Sequence, residues 1–129
     1  MGKIKGSTAE RELIQLFHNA GWAPVRVAGS GSARIPAVDI VAGKSGNVFA
    51  VECKSSRSSK IYISKDQVRE LAYFASIFGA KAIVGVRFDR EAWRFFALHE
   101  LRDSGKNYVV DKSVAITVGK KFEDLIKTP

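Results

Sequence analysis

The chain has 129 residues, of which 46% are hydrophobic and 10% aromatic, which suits one folded domain and excludes a disordered chain. No apolar run approaches the ~20 residues that span a bilayer, and a single cysteine excludes an internal disulfide. The formal net charge of +8 is concentrated in residues 1–65, which hold ten Lys/Arg against four Asp/Glu, and it indicates a polyanionic partner such as nucleic acid. These features predict a soluble intracellular protein with a single domain, residues 1–129.

The first half of the chain predicts a helix followed by three short strands. Ser7 and Glu10 form a capping-box pattern, and apolar residues then recur at helical spacing as far as Gly21. The stretches APVRVAG, AVDIVAG and VFAVECK are each predicted to be a strand. GSGSARIP is predicted to be a mobile loop after the first strand, and KSGN a turn that makes the last two strands antiparallel neighbours.

The second half predicts a helical crossover and further strands. SSRSSK is predicted to be a polar basic loop and IYI a brief strand, after which Ser64 and Gln67 cap a helix that runs to about Gly79. AKAIVGVRF and WRFFAL are predicted strands, NYVVD and VAITV are predicted edge strands or a hairpin, and KKFEDLIK is a short closing helix. The predicted fold class is therefore α/β, a mixed β-sheet flanked by helices.

Two carboxylates and one lysine fall on the paired strands around the KSGN turn. Side chains alternate between the faces of a strand, so Glu52 and Lys54 share one face, and strand pairing brings Asp39 close to Glu52. Two hard oxygen donors, with the Cys53 carbonyl as a third, suit Mg²⁺ with positions open for water and phosphate. A lysine beside such an ion stabilises developing charge or orients the attacking water. The alternative is a cross-strand ion-pair cluster without a metal.

These residues lie within a longer resemblance to known nucleases. VD followed by VECK is similar to the D…ExK signature of restriction-endonuclease-like nucleases. In this order, GSTAERELI, PVRVAGSGS, VDIVAG, VECKS, IYISKDQ and FGAKAIVGVRF resemble the archaeal Holliday junction resolvases from about Lys5 to Phe96. The sequence departs from the pattern at Val38, where the generic signature has proline, and at Cys53, where the residue is usually apolar.

The resemblance implies a restriction-endonuclease-like fold and a role in DNA recombination and repair. It implies a homodimeric endonuclease in the cytoplasm, associated with chromosomal DNA, that uses Mg²⁺ or Mn²⁺ to place paired nicks in four-way junctions. Other recombination proteins are left open as partners. Carried over residue by residue, it implies a catalytic set of Glu10, Ser30, Asp39, Glu52 and Lys54, with Glu10, Asp39, Glu52 and the Cys53 carbonyl as metal ligands. The predicted DNA-binding set is Arg11, Arg26, Ser30, Arg34, Arg57, Lys60, Tyr62 and Gln67.

Several of these assignments have a structural alternative. Glu10 can be explained by the capping box with Ser7 alone. The helix segment LAYFASIFG is apolar nearly all round, so we predict a dimer interface formed by Leu71, Phe74, Ile77 and Phe78. The alternative cover is the C-terminal helix, with Phe122, Leu125 and Ile126. For the function, the alternatives are a metal nuclease for another branched or duplex DNA, and a non-catalytic nucleic-acid-binding module.

Overall fold

The computed structural model describes residues 6–27 and 35–127, and these residues form four α-helices and nine strands. The helices are α1 (Gly6–Asn19), α2 (Lys65–Phe78), α3 (Lys112–Val118) and α4 (Phe122–Leu125). The strands are β1 (Ala23–Arg26), β2 (Ile40–Lys44), β3 (Asn47–Ser56), β4 (Lys60–Ser64), β5 (Lys81–Phe88), β6 (Arg94–Ala97), β7 (Arg102–Asp103), β8 (Asn107–Asp111) and β9 (Lys120–Lys121). Within these ranges, no helix is long and apolar enough to cross a membrane.

Six strands form a mixed sheet in the order β1-β2-β3-β5-β6-β9. β2 and β3 are antiparallel across a two-residue turn, in which Ser45 and Gly46 have φ values of 51° and 86°. Positive φ at both central residues is typical of the type I′ hairpin, whose twist matches that of the flanking strands. β3 and β5 are parallel, and β4 and α2 form the connection between them. The predicted mixed sheet with helices on its faces is confirmed.

The other three strands form a second sheet, in the order β4-β8-β7, that was not predicted as a separate unit. The strand predicted at IYI pairs antiparallel with the strand predicted at NYVVD, so that Ile61 lies opposite Val110. Both side chains are buried, together with Ile63, in one core with residues of α2 and β5. The second sheet therefore shares one face of the main sheet with α2.

Alternation along β3 sends successive side chains into two cores, one on each face of the main sheet. Ala50 belongs to the core beneath α2 and the second sheet. Phe49 and Val51 belong to the core beneath α1 and α4, to which α1 contributes Leu13 and Phe17. Both faces of the sheet are thus covered, as is usual for a sheet that contains parallel strands.

The caps of α2 agree with the sequence prediction. The Ser64 hydroxyl accepts a hydrogen bond from the Gln67 backbone N–H at 3.0 Å, and Gln67 Oε1 accepts one from the Ser64 N–H at 3.3 Å. Gly79 ends the helix with φ 84°, and its N–H donates to Ala75 O. Glycine adopts this left-handed conformation without steric cost, which makes it the usual residue at a helix end. The predicted helix bounds are confirmed.

The prediction of a strand at VAITV is wrong, because these residues lie in α3. Their β-branched side chains favour strands, but propensity is a weak term beside tertiary contacts. Ala115 is fully buried on the inner face of α3, and Arg94 Nη1 donates hydrogen bonds to the carbonyls of Ala115 and Ile116. Ala115 O also accepts a hydrogen bond from the Gly119 N–H, so the guanidinium from β6 is a second donor to Ala115 O and a donor to Ile116 O near the helix end.

The prediction of a capping box at the start of α1 is also wrong. The helix begins at Gly6, so Ser7 lies inside the first turn instead of preceding it. The Glu10 carboxylate accepts a hydrogen bond from Arg26 Nε on β1, at 2.9 Å. Glu10 therefore joins α1 to β1 of the sheet and does not form a capping box with Ser7.

We expect Gly119→Ala to lower the free energy of unfolding by about 2–4 kcal/mol. A Cβ atom at Gly119 would lie 2.5 Å from Ala115 O and 2.9 Å from Arg94 Cβ, so the end of α3 would have to move away from β6. Urea denaturation measures the effect, with Gly6→Ala as control because a Cβ there meets nothing within 4 Å. An unchanged unfolding midpoint in Gly119→Ala would contradict this packing of α3.

Candidate active site

Asp39 and Glu52 meet where the pairing of β2 with β3 ends. Asp39 lies one residue before β2, and its N–H donates to Val51 O at 3.1 Å. Asp39 Oδ2 accepts a hydrogen bond from the Cys53 N–H at 2.8 Å, which fixes the carboxylate against β3. The carboxyl groups of Asp39 and Glu52 are close enough to share a hydrogen bond. The hairpin around the KSGN turn therefore produces the predicted pair.

Lys54 and Cys53 project from β3 in opposite directions. Lys54 Nζ lies 3.8 Å from Glu52 Oε2, a distance that allows electrostatic attraction but is too long for a hydrogen bond. The Cys53 side chain packs against the core beneath α1. Burial, followed by the charge of Asp39, raises the pKa of the Cys53 thiol well above its ordinary value. The lysine is thus available to the carboxylates, and the thiol is an inert packing group.

Glu10 reaches the same region from α1. Its hydrogen bond with Arg26 Nε forms an ion pair between half-buried side chains on α1 and β1. Burial and then the charge of Asp39 raise the pKa of Glu10, while Arg26 opposes the rise. Glu10 therefore lies within electrostatic range of the Asp39–Glu52 pair.

The pKa of Glu52 reflects its burial beside two other carboxylates, those of Asp39 and Glu10. The pKa of Glu52 is raised from the ordinary 4.5 to about 7. Burial is the largest cause, and the charges of Asp39 and Glu10 also raise this pKa, while Lys54 lowers it. Burial also raises the pKa of Asp39, while the hydrogen bond from Cys53 lowers it. Each ionised carboxylate makes ionisation of the next less favourable. A bound cation would reverse these shifts.

The donor set fits a hard divalent cation that keeps part of its water. In the part of the chain that the structure describes, no three His, Cys, Asp or Glu side chains converge to enclose an ion by themselves. Asp39 and Glu52 meet as a pair, and the Cys53 carbonyl points to the same side of β3 as the Cys53 N–H, toward Asp39. Mg²⁺ is commonly held by one or two carboxylates, with waters and phosphate oxygens in the remaining positions. The arrangement therefore suits Mg²⁺.

Comparisons with known proteins agree with this geometry. The family described as archaeal Holliday junction resolvase (Hjc) matches the chain over residues 1–129. The chain belongs to this family. It is 40% identical over 129 residues to the crossover junction endodeoxyribonuclease Hjc of Archaeoglobus fulgidus, with 95% of each chain covered. It is 39% identical over 133 residues to that of Methanocaldococcus jannaschii, with 95% of this chain and 96% of the relative covered.

A solved structure of the resolvase family has the same fold. The 1.6 Å resolution structure of Archaeoglobus fulgidus Hjc, a Holliday junction resolvase, matches with a TM-score of 0.86 at 38% sequence identity. The match covers 92% of this chain and 96% of the Archaeoglobus chain. The resemblance and the fold class predicted from the sequence are both confirmed.

The residues of this resolvase that are predicted to bind DNA differ in whether their charge is paired within the protein. Arg11 is exposed on α1, and Arg57 is exposed in the bend after β3. Lys60 is paired with Asp111, which also accepts a hydrogen bond from Arg102 at 3.0 Å. An ion pair of this kind reduces the net positive charge that Lys60 offers to DNA. Contact with DNA stays a prediction for all three predicted residues.

The remaining residues predicted to bind DNA lie in different environments. The Tyr62 side chain is exposed on β4 and is free to contact DNA. Gln67 completes the capping box of α2, so its side chain already has a structural role. Arg26 is bonded to Glu10, as described above. Ser30 and Arg34 lie outside the described residues, and their roles stay predictions.

The four residues predicted for the dimer interface divide into two groups. Leu71 is 1% exposed and belongs to the core beneath α2, so it cannot contact a partner, and its assignment to the interface is wrong. Phe74 packs against that core, and its ring stacks on Phe78 with a centroid distance of 5.3 Å. Ile77 and Phe78 are 73% and 54% exposed, which leaves an apolar patch on the outer face of α2.

A further charged cluster beside the site was not predicted. Glu12 on α1 accepts hydrogen bonds from Arg87 on β5 and from Trp93, just before β6. Arg87 and Trp93 lie 75 and 81 positions after Glu12 in the sequence, so no local pattern predicts these contacts. The available signal was Arg87, a charged residue one position before the end of the buried strand AKAIVGVRF.

We expect Glu52→Gln to raise the free energy of unfolding of the metal-free protein by on the order of 2 kcal/mol at pH 8. The folded-state pKa of Glu52 lies above its ordinary value, so ionisation of this group favours the unfolded chain. The destabilisation is absent below pH 4.5, grows between pH 4.5 and about 7, and is constant above that window. The substitution removes it.

Urea denaturation in EDTA at a series of pH values between 4.5 and 8.5 tests this expectation. The stability difference between Glu52→Gln and the unaltered protein should widen as the pH rises to about 7 and then level off. A stability difference between the two proteins that does not change with pH would contradict the raised pKa of Glu52.

Proposed function

We propose that the chain is a Mg²⁺-dependent, structure-selective endonuclease that resolves four-way (Holliday) DNA junctions by paired symmetric nicks. Family membership makes it a crossover junction endodeoxyribonuclease, the name that its archaeal relatives carry. The observation that supports the metal-dependent chemistry is the meeting of Asp39 and Glu52 beside Lys54 at the end of the β2–β3 pairing. A single nuclease domain, residues 1–129, acts on chromosomal DNA in the cytoplasm.

The proposed chemistry divides between an ion and one lysine. Asp39, Glu52 and the Cys53 carbonyl would hold a divalent ion, which when bound would supply water activation and stabilise charge on the scissile phosphate; Mn²⁺ is expected to substitute. Lys54 Nζ is held 3.8 Å from Glu52 Oε2, beside the proposed ion site. Its N–H groups orient the attacking water and stabilise the charge that develops on the phosphate oxygens.

Residues at the start of the chain complete the proposed site. Glu10 adds negative charge beside the ion, and Arg26 holds the Glu10 side chain through its Nε. Arg11, exposed one residue after Glu10, is proposed to contact a neighbouring phosphate. The Ser30 hydroxyl is proposed as a further phosphate contact near the scissile bond.

The proposed active species is a two-fold homodimer that uses the exposed face of α2. A four-way junction has approximate two-fold symmetry, and one chain offers one D…ExK site, so paired nicks require two chains in fixed relation. Ile77 and Phe78 are exposed apolar side chains on one helix, and Tyr73 is exposed beside them. The alternative cover by the C-terminal helix does not occur, because Leu125 packs in the other core, against α1.

We expect the double variant Ile77→Asp and Phe78→Asp to weaken dimerisation by about a hundredfold or more. Two charges would have to be buried in an apolar contact, whereas in the monomer both positions are open to water. Light scattering over a concentration series measures the dissociation constant. Val118→Asp is the matched control, because Val118 is 67% exposed on α3 and lies outside the proposed interface.

Circular dichroism and unfolding of the double variant establish whether its monomer is folded. A folded monomer that binds the junction but makes no paired nicks is the expected result. Unchanged dimerisation would contradict the interface, and a monomeric unaltered protein that still makes paired nicks would contradict the dimer.

A comparison of substrates tests the proposed function itself. The protein is incubated with a labelled four-way junction and with a linear duplex of the same sequence, in Mg²⁺ and in EDTA. Nicking of the junction in Mg²⁺, with the duplex left intact, is the expected result. Equal cleavage of both DNAs would indicate a D…ExK nuclease for another substrate, and binding without nicking would indicate a non-catalytic binding module.

A further inference from the structure

The second carboxylate of α1, Glu12, joins the helix to strands beyond the candidate active site. Glu12 Oε1 accepts a hydrogen bond from Arg87 Nε at 2.9 Å and another from Trp93 Nε1 at 2.7 Å. Trp93 is 3% exposed, so its indole N–H is largely shielded from bulk water, and the Glu12 carboxylate supplies its acceptor. One carboxylate oxygen therefore satisfies two donors, one from the end of β5 and one from the residue before β6.

Glu10 and Glu12 leave α1 on opposite flanks of its buried face. Each residue turns by about 100° around a helix axis, so residues two positions apart point about 200° apart. Ala9 and Leu13, both buried, lie between these directions and face the sheet. Glu10 reaches Arg26 on one flank, and Glu12 reaches β5 and β6 on the other.

The strand order makes these contacts a clamp across the site. In the order β1-β2-β3-β5, the anchoring strands β1 and β5 are separated by three strand spacings, or about 14 Å. Asp39 precedes β2 and Glu52 lies on β3, so both carboxylates belong to the strands between the anchors. The first turns of α1 are thus tied to the sheet on both sides of the catalytic strands.

We propose that Glu12 is a positioning residue for the divalent cation site, an inference that rests on the proposed nuclease function. Through Arg87 and Trp93, Glu12 fixes the first turns of α1 and so keeps Glu10 beside the carboxylates of β2 and β3. Glu12 does not touch the ion. Loss of the clamp lets the start of α1 move, which withdraws the charge of Glu10 and weakens cation binding without removing a ligand.

The test measures Mn²⁺ binding to the DNA-free protein by isothermal titration calorimetry. Trp93→Phe keeps an aromatic ring and removes the N–H donor with no change of charge. Glu12→Ala removes the acceptor, and Glu12→Gln keeps an acceptor oxygen without the charge. Glu123→Gln is the matched control, because Glu123 lines the same surface pocket as Glu12 and Trp93. Hydrogen exchange of the α1 amides reports movement of the helix independently of any metal.

Glu12→Ala and Trp93→Phe are expected to raise the Mn²⁺ dissociation constant about threefold to tenfold, and Glu12→Gln by less than Glu12→Ala. Exchange at the start of α1 should quicken in the same order, while Glu123→Gln matches the unaltered protein. If the Mn²⁺ dissociation constants of Glu12→Ala and Trp93→Phe lie within twofold of the value for the unaltered protein, the clamp is overturned. Glu12 is then a structural residue, even if these variants have lowered thermal stability. Absence of Mn²⁺ binding by the unaltered protein would overturn both the clamp and the proposed metal site.

Discussion

Asp39→Asn and Glu52→Gln are each expected to lower the rate of junction nicking by about a thousandfold or more, with little loss of junction affinity. The two carboxylates are the side chains that meet at the end of the β2–β3 pairing, and either change removes one of the few anionic ligands available to the ion. Affinity for DNA comes mainly from phosphate contacts by many basic residues, and neither substitution removes one.

Single-turnover cleavage and gel-shift titration in Ca²⁺ separate the two effects. Glu100→Gln is a suitable control, because Glu100 is exposed, and its contact, the N–H of Ala97, can also be made by glutamine. Rapid cleavage by Asp39→Asn or Glu52→Gln at any Mg²⁺ concentration would contradict the site. Glu52→Gln should also be the more stable protein at pH 8, so an unfolded variant is not expected to explain its inactivity.

Lys54→Ala is expected to slow the chemical step about a hundredfold to a thousandfold, while junction affinity falls by less than about threefold. The ammonium group lies 3.8 Å from Glu52 in a largely buried position, where its charge acts more strongly than it would in water. Removing one cation from a basic surface changes affinity little. The rate measured on junction already bound to excess protein reports the chemical step alone.

Lys44→Ala is the matched control for Lys54→Ala. Lys44 is an exposed lysine at the turn between β2 and β3, at the opposite end of the hairpin from Lys54. Lys44→Ala should bind the junction slightly more weakly and cleave bound junction at an unchanged rate. If Lys54→Ala instead loses affinity with an unchanged rate on bound DNA, Lys54 is a phosphate anchor and has no part in the chemistry.

The part of the site that could be predicted from the sequence depends on short-range geometry. The hairpin turn sets the pairing of β2 with β3, and alternation along β3 then places Glu52 and Lys54 on one face, with Asp39 across from them. Glu10 could not be placed in this way. Its approach depends on how α1 packs over the sheet, and its predicted capping role with Ser7 proved wrong.

The features that were mispredicted depend on contacts between distant residues. β4 pairs with β8 across more than forty residues, which creates a separate sheet that alternation within each strand does not reveal. The pairing of Lys60 with Asp111 follows from that sheet and lowers the net positive charge that Lys60 offers to DNA, while its contact with DNA stays a prediction. α3 forms against strand propensity because Arg94 caps its carboxyl end. In each case tertiary contacts outweigh local preference.

The most direct test of the account is the position and timing of nicks in a four-way junction with each strand separately labelled. In Mg²⁺, the unaltered protein should place nicks at symmetry-related positions in two opposed strands within one binding event, and give nicked duplexes that DNA ligase can seal. In EDTA it should bind the junction without cutting it. Nicks in a single strand, cleavage without a divalent ion, or equal cutting of linear duplex would contradict a metal-dependent, dimeric junction resolvase.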